Sequence, residues 1–451
     1  DMCSKLFLDK NNRPKKFKIE NLRDSMYGRK FPVFETNIDP MLRFMHTREI
    51  QPANFIRIEK NKYEISNPSE THCQMEIKTK WSNISGVPSE DISKLIVLSY
   101  DIEADSSHGD FPVAKKKYKK LATNVVDYYL NILKNSKKEK NKTEKDSLKK
   151  ILSKLDELFM SCISSGFEEV ENKYEVSYVY TKDNAKPKKN AIKITAKEMI
   201  PIVKNDKGVL ITSGKYADKH GIIVNEDKED KNYTIELIDE LDKKTVWEDG
   251  VKKEIDDETF SLILDNSKFK YVKHTRDVII NAVSRVMDKY LPPVEGDKVI
   301  QIGSTAFKYG DKSCFVKHIV TLGTCDDIEG CIVETAETEA EVLIKWAKFI
   351  RRLDPDMLTG YNIFGFDYKF MWERAEELGC EHKFSELLSR MKTFTSSFVK
   401  QTLSSSGLGD NELSYMYMPG RIQMDLMKIV QRDHKLGSYK LDSVASHFIT
   451  G

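Results

Sequence analysis

The chain has 451 residues, 39% of them hydrophobic and 32% charged, and its 73 basic residues nearly balance 71 acidic ones. This composition excludes a disordered polymer and predicts two or three globular domains with cores of their own. No run of 18 apolar residues is present, which excludes a membrane-spanning helix, and no charged-then-apolar leader opens the sequence.

The seven cysteines include no Cys-x-x-Cys pair and no nearby His arrangement, so we expect no zinc site. Their odd number indicates the reduced thiols of an intracellular protein. The chain begins with Asp1 and ends at Gly451, directly after an apolar, helix-like pattern. We therefore expect both ends to be cut.

Residues 1–93 are expected to form a small mixed domain. Short apolar alternations, broken by turn residues, predict strands at Phe31–Phe34, Met41–Met45 and Phe55–Ile58.

The run from Leu95 to Glu103 predicts a buried strand that ends in two carboxylates, and with its motif it occupies residues 94–114. Strand side chains alternate between faces, so Asp101 and Glu103 project from the same face while Ile102 returns to the core. Two carboxylates held so close repel each other, and a hard divalent cation with oxygen ligands is the usual remedy. The strand therefore predicts half of a metal site.

Residues 115–275 differ in character from what precedes them. Positions 115–155 contain fourteen Lys against four acidic residues. Apolar residues at helical spacing from Leu148 to Phe159 predict an amphipathic helix beside a Lys-rich loop. A solvated face with a flexible linker is favoured over a nucleic-acid contact.

Between residues 205 and 250, turn residues separate three candidate strands, Val209–Ile211, Gly221–Val224 and Tyr233–Ile238, which indicates hairpins. The stretch Gly214–Val224 resembles the KOW motif of small SH3-like barrels, which would make this region a docking module for nucleic acid or protein. An ordinary hairpin with the same Gly and Lys spacing remains the alternative.

Residues 276–451 predict an α/β arrangement. A helix is expected from Arg276 to Tyr290, followed by a strand at Val299–Gly303 and a hairpin turn at Tyr309–Lys312. Thr338 and Glu341 form a capping box that opens the next helix. The buried side of that helix is predicted to consist of apolar residues at helical spacing, namely Val342, Leu343, Trp346, Phe349, Ile350 and Leu353.

Asp367 lies where a strand, Met357–Tyr361, gives way through a loop to a helix that stops at Gly379. An Asp at this place commonly caps the helix through its side chain. The Asp-x-Glu strand at 101–103 weakens that interpretation, because a third carboxylate would suit a metal site. Asp425 ends another strand pattern, and we interpret it as a structural strand-end carboxylate rather than a substrate-binding group.

Four segments occur in the same order as in the exonuclease region of family B DNA polymerases, which the chain resembles. They are Tyr-Asp-Ile-Glu at 100–103, Thr-Gly-Tyr-Asn-Ile-Phe-Gly-Phe-Asp at 359–367, Gly-Arg-Ile-Gln-Met-Asp at 420–425, and Lys435–Phe448. The segment Phe34–Met45 also resembles the N-terminal domain of that family. The resemblance is nearest to the polymerases of large nucleocytoplasmic DNA viruses and to the eukaryotic delta type, and it covers residues 5–112 and 275–451.

The resemblance implies a 3′→5′ proofreading exonuclease of ribonuclease-H-like α/β fold, within a chain that is α+β overall, with a mixed N-terminal domain and an inserted, partly β module. It implies two Mg²⁺ or Mn²⁺ ions, with Asp101, Glu103 and Asp367 as metal ligands and catalytic residues. Two such ions can activate the attacking water and stabilise the leaving 3′ oxygen. Three residues are expected to contact a single DNA strand, namely Asn362, Phe364 and Phe366, although core packing is an alternative for both phenylalanines.

Two features depart from the family. The third motif, Tyr-x-x-x-Asp, is not matched by Tyr439–Asp442, which is one residue too short, so we expect it and the nucleotidyl-transfer motifs beyond Gly451. Because a metal ligand is then missing, we expect the fragment to be weakly active or inactive. Asp101 and Asp367 are 266 positions apart, and an insertion within residues 115–275 accounts for this distance.

The expected substrate is DNA, as a primer–template or its single-stranded 3′ end, and the expected partners are the remaining polymerase domains and a processivity factor, with no membrane. The expected location is intracellular and, for a viral protein, a cytoplasmic virus factory or the nucleus of the infected cell. Two other functions stay open: a free-standing metal-dependent 3′→5′ exonuclease, and a non-catalytic module that binds single-stranded nucleic acid.

Overall fold

A computed structural model of the chain describes residues 38–67, 70–106, 111–138, 149–169, 173–227, 231–238, 244–248, 251–255, 261–405 and 409–449. The chain forms two compact units, the first comprising residues 1–95 and 390–393, and the second residues 96–389 and 394–451. None of the helices in the described ranges is long and apolar enough to cross a membrane.

The first unit contains short elements in its described part. They are helix α1 (Pro40–Thr47) and strands β1 (Phe55–Ile58), β2 (Tyr63–Ser66), β3 (Glu76–Thr79) and β4 (Ile84–Val87), with the antiparallel pairs β1–β4 and β2–β3. The strand predicted at Phe55–Ile58 is confirmed by β1. The strand predicted at Phe31–Phe34 lies outside the described residues.

The strand predicted at Met41–Met45 is wrong, because these residues belong to α1. The carboxylate of Asp39 caps this helix by accepting hydrogen bonds from the N–H groups of Met41 (2.8 Å) and Leu42 (3.3 Å). Pro40 occupies the first helical position, where its fixed φ suits a helix and its missing N–H has no cost. The Asp-Pro start signal therefore outweighs the apolar alternation.

The second unit opens with strand β5 (Ile96–Asp105), and a group of helices follows. These are α2 (Lys119–Lys138), α3 (Leu155–Ser165) and α4 (Lys189–Lys204), joined later in the chain by α5 (Arg276–Tyr290). Their apolar sides share one core, in which Val125, Ile163, Met199 and Val283 are fully buried. The helix predicted at Arg276–Tyr290 is confirmed as α5.

The amphipathic helix predicted across residues 148–159 is only partly confirmed. Residues 149–152 are helical, a turn follows at 153–154, and α3 then begins at Leu155 and continues to Ser165. Leu148 lies outside the described residues. Leu155 and Phe159 are buried in the helical core, as their spacing predicts.

Between α4 and α5 lies a group of antiparallel strands, which we call the barrel module (residues 208–271). Its strands are β6 (Gly208–Ile211), β7 (His220–Asp227), β8 (Asn232–Leu237), β9 (Lys244–Glu248), β10 (Val251–Ile255), β11 (Ser261–Asp265) and β12 (Phe269–Tyr271). Five of them form one sheet in the order β11-β8-β7-β6-β12, which includes the three strands predicted from the sequence.

The sheet of the barrel module is strongly curled. β11 and β12 lie at its opposite edges although only residues 266–268 connect them, so the sheet must bend round on itself as in a small barrel. The chain enters and leaves the module side by side, since the N–H of Val272 donates to the carbonyl of Gly208 (2.9 Å).

The rest of the second unit supplies most of its main sheet and the helices that cover it. The strands are β13 (Lys298–Lys308), β14 (Val316–Leu322), β15 (Ile332–Ala336), β16 (Met357–Gly360), β17 (Ser397–Ser405), β18 (Gly409–Tyr417) and β19 (Ile422–Asp425). The helices are α6 (Glu339–Leu353), α7 (Asp367–Glu377), α8 (Glu381–Leu388), α9 (Leu426–Asp433) and α10 (Leu441–Phe448).

The main sheet has six strands in the order β15-β14-β13-β5-β16-β19. β13 runs antiparallel to both β14 and β5, whereas β16 runs parallel to β5 and to β19. This mixed sheet, with helices packed on its apolar surface, is the ribonuclease-H-like α/β fold that the sequence predicts. The turn predicted at Tyr309–Lys312 is confirmed between β13 and β14, where Gly310 has a φ of 90°.

α6 packs on this sheet with the apolar side that the sequence predicts. Its cap is confirmed, since the hydroxyl of Thr338 accepts the N–H of Glu341 at 3.3 Å. The Glu341 carboxylate accepts from the N–H of Glu337 at 2.9 Å, one residue before the cap. Five of the predicted apolar residues are buried and Leu353 is half-buried, the buried ones being Val342, Leu343, Trp346, Phe349 and Ile350.

Candidate active site

The central strand β5 presents its carboxylates as the alternation predicts. Ile102 is 5% exposed and belongs to the core, whereas Asp101 and Glu103 both lie on the exposed face. β13 pairs with β5 along its length, including Asp101 and Glu103, whereas β16 pairs with β5 only at residues 97–99, just before the carboxylates.

The loop that leads to Asp367 starts beside the end of β5. β16 pairs in parallel with β5 and ends at Gly360, where a Cβ atom would lie 2.7 Å from the carbonyl oxygen of Tyr100. The absence of a side chain there permits the close approach of the two strands. Residues 361–366 then turn the chain so that α7 begins at Asp367, next to Asp101.

The side chain of Asp367 does not cap α7, so that alternative is wrong. The capping position belongs to Phe366, which makes no side-chain hydrogen bond there. The Asp367 carboxylate is 2% exposed and accepts the N–H of Ile102 at 3.3 Å. It also contacts the carboxylate of Asp101. Two of the three predicted metal ligands are therefore brought together.

The carboxylates of Asp101 and Asp367 repel each other when both are ionised and no cation lies between them. Burial, together with the negative charge of Asp101, raises the pKa of Asp367 to about 7. Partial burial also raises the pKa of Asp101, and a hydrogen bond from the Asp367 carboxyl opposes that rise. The two groups thus share one proton near neutral pH.

Glu103 is on the same exposed face of β5 but is not grouped with the other two. Within the described ranges, no three His, Cys, Asp or Glu side chains lie close enough together to hold a metal ion. Glu103 is two residues beyond Asp101, about 7 Å along an extended strand. The carboxylate pair has the hard oxygen donors that Mg²⁺ and Mn²⁺ prefer, so these two residues fit such an ion.

Asn362 takes part in the turn before Asp367. Its φ is 61°, in the left-handed region that Asn tolerates, and its carbonyl accepts the N–H groups of Gly365 (2.9 Å) and Phe366 (3.0 Å). A Cβ atom on Gly365 would lie 2.3 Å from the side-chain oxygen of Asn362, so glycine here leaves room for the Asn362 amide in its present position.

Asp425 has the structural role that the sequence predicts. It ends β19, is 2% exposed and accepts the N–H groups of Asn362 (3.0 Å) and Phe364 (2.9 Å). It also caps α9 by accepting the N–H of Met427 at 2.9 Å. This carboxylate therefore fixes the turn that carries Asp367.

Aromatic residues lie in the turn that leads to Asp367 and in contact with it. Phe364 and Phe366 are both half-buried and pack against the sheet core, so they contribute to packing and also reach the surface. The ring of Phe366 makes an edge contact with Phe111, at 5.6 Å between centroids, and Phe111 is 76% exposed. Phe111 is not among the site residues predicted from the sequence, where its signal is an aromatic residue that follows a polar stretch and precedes a proline.

A buried ion pair anchors the helix that carries Asp367. Arg374 of α7 makes two hydrogen bonds to Glu339 of α6, at 2.6 and 2.8 Å, and both side chains are 3% exposed. Arg374 also donates to the carbonyl of Ala114 (2.9 Å), and Glu339 accepts the N–H of Val299 (2.9 Å). α7 is thereby tied to α6, to β13 and to the segment that follows β5.

Comparison with known proteins places this site in a family. The family described as DNA polymerase family B, exonuclease domain, matches residues 31–211 and 284–444. A DNA polymerase of Pyramimonas orientalis virus is 33% identical over 425 residues, and a DNA polymerase of Phaeocystis pouchetii virus is 30% identical over 474 residues. The DNA polymerase delta catalytic subunit of Dictyostelium discoideum is 43% identical over 160 residues.

The alignments with the two viral polymerases cover 93% and 99% of this chain but only 31% and 42% of the relatives. The alignment with the delta subunit covers 35% of this chain and 14% of the relative. The chain thus spans less than half the length of the relatives that it matches. The matched family segments include β5, the turn at 361–366 and the start of α7, and the chain belongs to DNA polymerase family B, in the region of its exonuclease domain.

Proposed function

We propose that this chain is the proofreading part of a DNA-directed DNA polymerase and acts as a 3′→5′ exonuclease on single-stranded DNA ends. The observation that supports this proposal most directly is the contact between Asp101 of the central strand and the buried carboxylate of Asp367. The residue before Asp367, Phe366, contacts the exposed ring of Phe111. Membership of the family agrees with it. Nucleotide addition on a primer–template is proposed for the longer protein to which such a region belongs.

Asp101, Asp367 and Glu103 are the residues proposed to hold two Mg²⁺ or Mn²⁺ ions. Bound there, the ions would supply Lewis-acid activation of the attacking water and stabilise charge on the leaving 3′ oxygen. Asp367 and Asp101 share a proton that must leave before both carboxylates can act as ligands. Cation affinity should therefore rise as the pH increases through about 7.

The remaining residues are proposed to orient the DNA end. The exposed face of Phe111 and the half-buried rings of Phe364 and Phe366 suit stacking on terminal bases, which is largely independent of sequence. Asn362 lies in the same turn and is proposed to contact the strand through its side-chain amide. In the reaction, a water oxygen bonds to the last phosphorus and the water gives up a proton. The bond from that phosphorus to the 3′ oxygen of the preceding nucleotide breaks, this oxygen takes up a proton, and a nucleoside 5′-monophosphate leaves.

The test uses the 451-residue chain in excess over a 5′-labelled single-stranded oligonucleotide, with Mn²⁺. Excess protein and Mn²⁺ allow the weak activity expected of this chain to be detected. We expect slow shortening from the 3′ end, and this activity should be lost in Asp101→Ala and in Asp367→Asn. Asp311→Asn, in the turn between β13 and β14, is the matched control and should leave shortening unchanged. Shortening that persists in both site variants would contradict the assignment.

Cation binding provides a second measurement that does not depend on turnover. Titration calorimetry with Mn²⁺ should show tighter binding at pH 8 than at pH 6 and proton release on binding, and both effects should disappear in Asp367→Asn. An intact chain that binds the oligonucleotide but neither binds Mn²⁺ nor shortens DNA would support the alternative function, a non-catalytic single-strand-binding module.

A further inference from the structure

Helix α4 and the segment before it are rich in lysine and poor in acidic residues. Residues 182–204 contain seven lysines and two acidic residues, Asp183 and Glu198. The Glu198 carboxylate accepts a hydrogen bond from the hydroxyl of Tyr290 on α5 at 2.5 Å, so it is engaged on the side of α4 that faces the other helices. The exonuclease chemistry does not use these lysines, and the opposite side of α4 therefore carries an unexplained positive charge.

Three lysines of α4 form a row. Lys189, Lys193 and Lys197 follow one another at intervals of four residues, so they lie on one face of the helix at steps of about 6 Å along its axis. All three are exposed, whereas Ile192 and Ala196 are buried in the helical core on the other side. The row is therefore open to solvent along two turns of the helix.

The position of these charges is unfavourable for the helix alone. Like charges four residues apart repel each other, and positive charges in the first turn oppose the positive end of the helix dipole. The capping residue, Lys188, makes no side-chain hydrogen bond, and the first turn has no acidic residue. Within the described part of the chain, no ion pair is formed by Lys186, Lys188, Lys189, Lys193 or Lys197. An anionic partner would relieve this repulsion.

An exposed aromatic ring precedes the lysines. Tyr180 is 43% exposed, and its ring makes an edge contact with Tyr178, at 4.7 Å between centroids. The backbone beside it is held by two hydrogen bonds to the segment that leads into β13. The N–H of Lys182 donates to the carbonyl of Pro293 (2.9 Å), and the N–H of Glu295 donates to the carbonyl of Tyr180 (2.9 Å). The ring is thus presented to solvent from a fixed backbone.

We call the exposed side chains of Tyr180, Lys186, Lys188, Lys189, Lys193 and Lys197 the lysine surface. It begins beside the exonuclease fold, because the ammonium group of Lys182 donates to the carbonyl of Glu377 at 3.3 Å. Glu377 is the last residue of α7, and Asp367 is the first. The helix between them is about 15 Å long, so a DNA strand that ends at the carboxylate pair has to extend by about that length to reach the surface.

These properties fit a single nucleic-acid strand. Each lysine can neutralise one phosphate, and a tyrosine ring can stack on a base whatever its sequence. A duplex would present its phosphates but not the faces of its bases, which are stacked inside it. A peptide of Asp and Glu residues would meet the lysines but would leave the ring of Tyr180 without a planar partner.

We propose that the lysine surface binds a single strand of DNA, upstream of the 3′ end that lies at Asp101 and Asp367. The lysines contact phosphates along the strand, and Tyr180 stacks on a base. This inference rests on the proposed function for the identity of the strand as DNA. It adds a second contact, outside the site of cleavage, that holds the strand on the protein.

The test is the binding of fluorescein-labelled oligo(dT) of about 20 nucleotides to the 451-residue chain, a length that exceeds the site size of a single small binding domain. Binding is followed by fluorescence anisotropy in EDTA at several NaCl concentrations. Lys189→Gln/Lys193→Gln/Lys197→Gln should make the slope of log K against log salt less steep by about 2, because each phosphate contact of a single strand contributes about 0.7. At low salt, affinity should fall by at least about tenfold.

Stacking is tested separately at Tyr180. Tyr180→Leu should weaken binding by about fivefold or more at every salt concentration, because it removes an aromatic face. It should leave the salt dependence unchanged, because no charge is lost. Tyr180→Phe keeps the aromatic face and should bind oligo(dT) as tightly as the wild type.

Each variant has a matched control. Lys270→Gln/Lys312→Gln/Lys348→Gln removes the same number of charges from exposed lysines outside the lysine surface, and Tyr309→Leu removes a ring that is 49% exposed. Both controls should bind oligo(dT) with the affinity and the salt dependence of the wild type. None of these variants should lower the melting temperature.

Three outcomes would overturn the proposal. One is a triple variant of α4 that keeps the wild-type salt dependence, or a control triple variant that changes it equally. Another is wild-type affinity in Tyr180→Leu. The third is displacement of labelled oligo(dT) by polyglutamate as effectively as by unlabelled oligo(dT), which would indicate a surface for any anionic chain. Failure of the proposed exonuclease reaction has a different signature, because such a chain would bind oligo(dT) in EDTA as expected but would not shorten DNA with Mn²⁺.

Discussion

At the scale of single residues, two buried aspartates show how hydrogen-bond partners decide the role of a carboxylate. Asp367 and Asp425 both follow a strand of the main sheet and are both 2% exposed. Asp425 accepts three N–H groups within 3.0 Å, which satisfies its charge. Asp367 accepts one, at 3.3 Å, and faces the carboxylate of Asp101. Of these two aspartates, Asp367 is therefore the one whose negative charge a bound cation would stabilise.

We predict that Asp367→Asn stabilises the cation-free protein at pH 8. The folded-state pKa of Asp367, about 7, lies above its ordinary value of 3.8, so this group disfavours folding increasingly as the pH rises from about 4 to 7. The amide can still accept the N–H of Ile102 and donate to Asp101. The gain should be on the order of 2–4 kcal/mol at pH 8 and should shrink towards pH 4.

Scanning calorimetry in EDTA at several pH values measures this effect. Asp311→Asn is the control, because it removes a carboxylate from an exposed turn and should change the melting temperature little at any pH. If Asp367→Asn raised the stability by the same amount at pH 5 and at pH 8, the proton shared by Asp101 and Asp367 would not be the cause.

In contrast to Asp367→Asn, we predict that Asp425→Ala destabilises the folded protein. The substitution leaves the N–H groups of Asn362, Phe364 and Met427 without their acceptor, which should cost about 2–4 kcal/mol of the free energy of unfolding. Because the same turn carries Asp367, exonuclease activity should fall more than stability alone explains. Urea unfolding and single-strand shortening below the transition measure the two effects.

Asp433→Asn, at the exposed end of the same helix, is the control for Asp425→Ala. Among the described residues, Asp433 forms an ion pair with its neighbour Arg432 on the surface, and such pairs contribute little. Wild-type activity of Asp425→Ala, together with lowered stability, would mean that the turn keeps its shape without the carboxylate.

At the scale of elements, α7 is positioned from both of its ends. Its first residue, Asp367, reaches β5, and Arg374 in its last turn is buried against Glu339 of α6. Gly296 makes room for this pair, because a Cβ atom there would lie 2.4 Å from the Arg374 guanidinium. Breaking the ion pair should therefore disturb the site from about 11 Å away, the length of helix between the two residues.

We predict that Glu339→Gln lowers the free energy of unfolding by about 3–5 kcal/mol, because Arg374 would keep a buried charge without its main partner. Glu377→Gln, which alters the more exposed partner of Arg374, is the matched control and should cost much less. Chemical unfolding measures both. Equal losses in the two variants would show that the two carboxylates share the charge of Arg374 evenly.

Periodicity along the sequence predicts elements whose signal is local. β5, α5 and α6 follow from apolar spacing and caps that lie within each segment. The helix at Pro40–Thr47 was missed because apolar residues alternate there, although the Asp-Pro start signal was present. The edge position of β11 and β12, and hence the curl of the barrel module, depends on pairing between distant strands and could not be predicted from local pattern.

At the scale of the whole molecule, the sequence predicts those parts of the site that follow from motifs, and it does not predict those that depend on contacts in the folded chain. The motif order indicates the family and the residues Asp101 and Asp367, whose contact spans 266 positions. It does not indicate Phe111, because the contact of its ring with that of Phe366 forms only in the folded chain. Nor does it show that Glu103 lies outside a three-carboxylate group within the described residues.

The two ends of the barrel module adjoin each other, so one small domain could replace another at this place in the chain. Because the carbonyl of Gly208 and the N–H of Val272 are hydrogen-bonded at 2.9 Å, the flanking helices α4 and α5 are bridged by neighbouring backbone atoms. Any small domain whose own termini lie side by side could be exchanged there without stretching the exonuclease sheet. Replacing residues 209–271 by such a domain should therefore leave the packing of α4 against α5 unchanged.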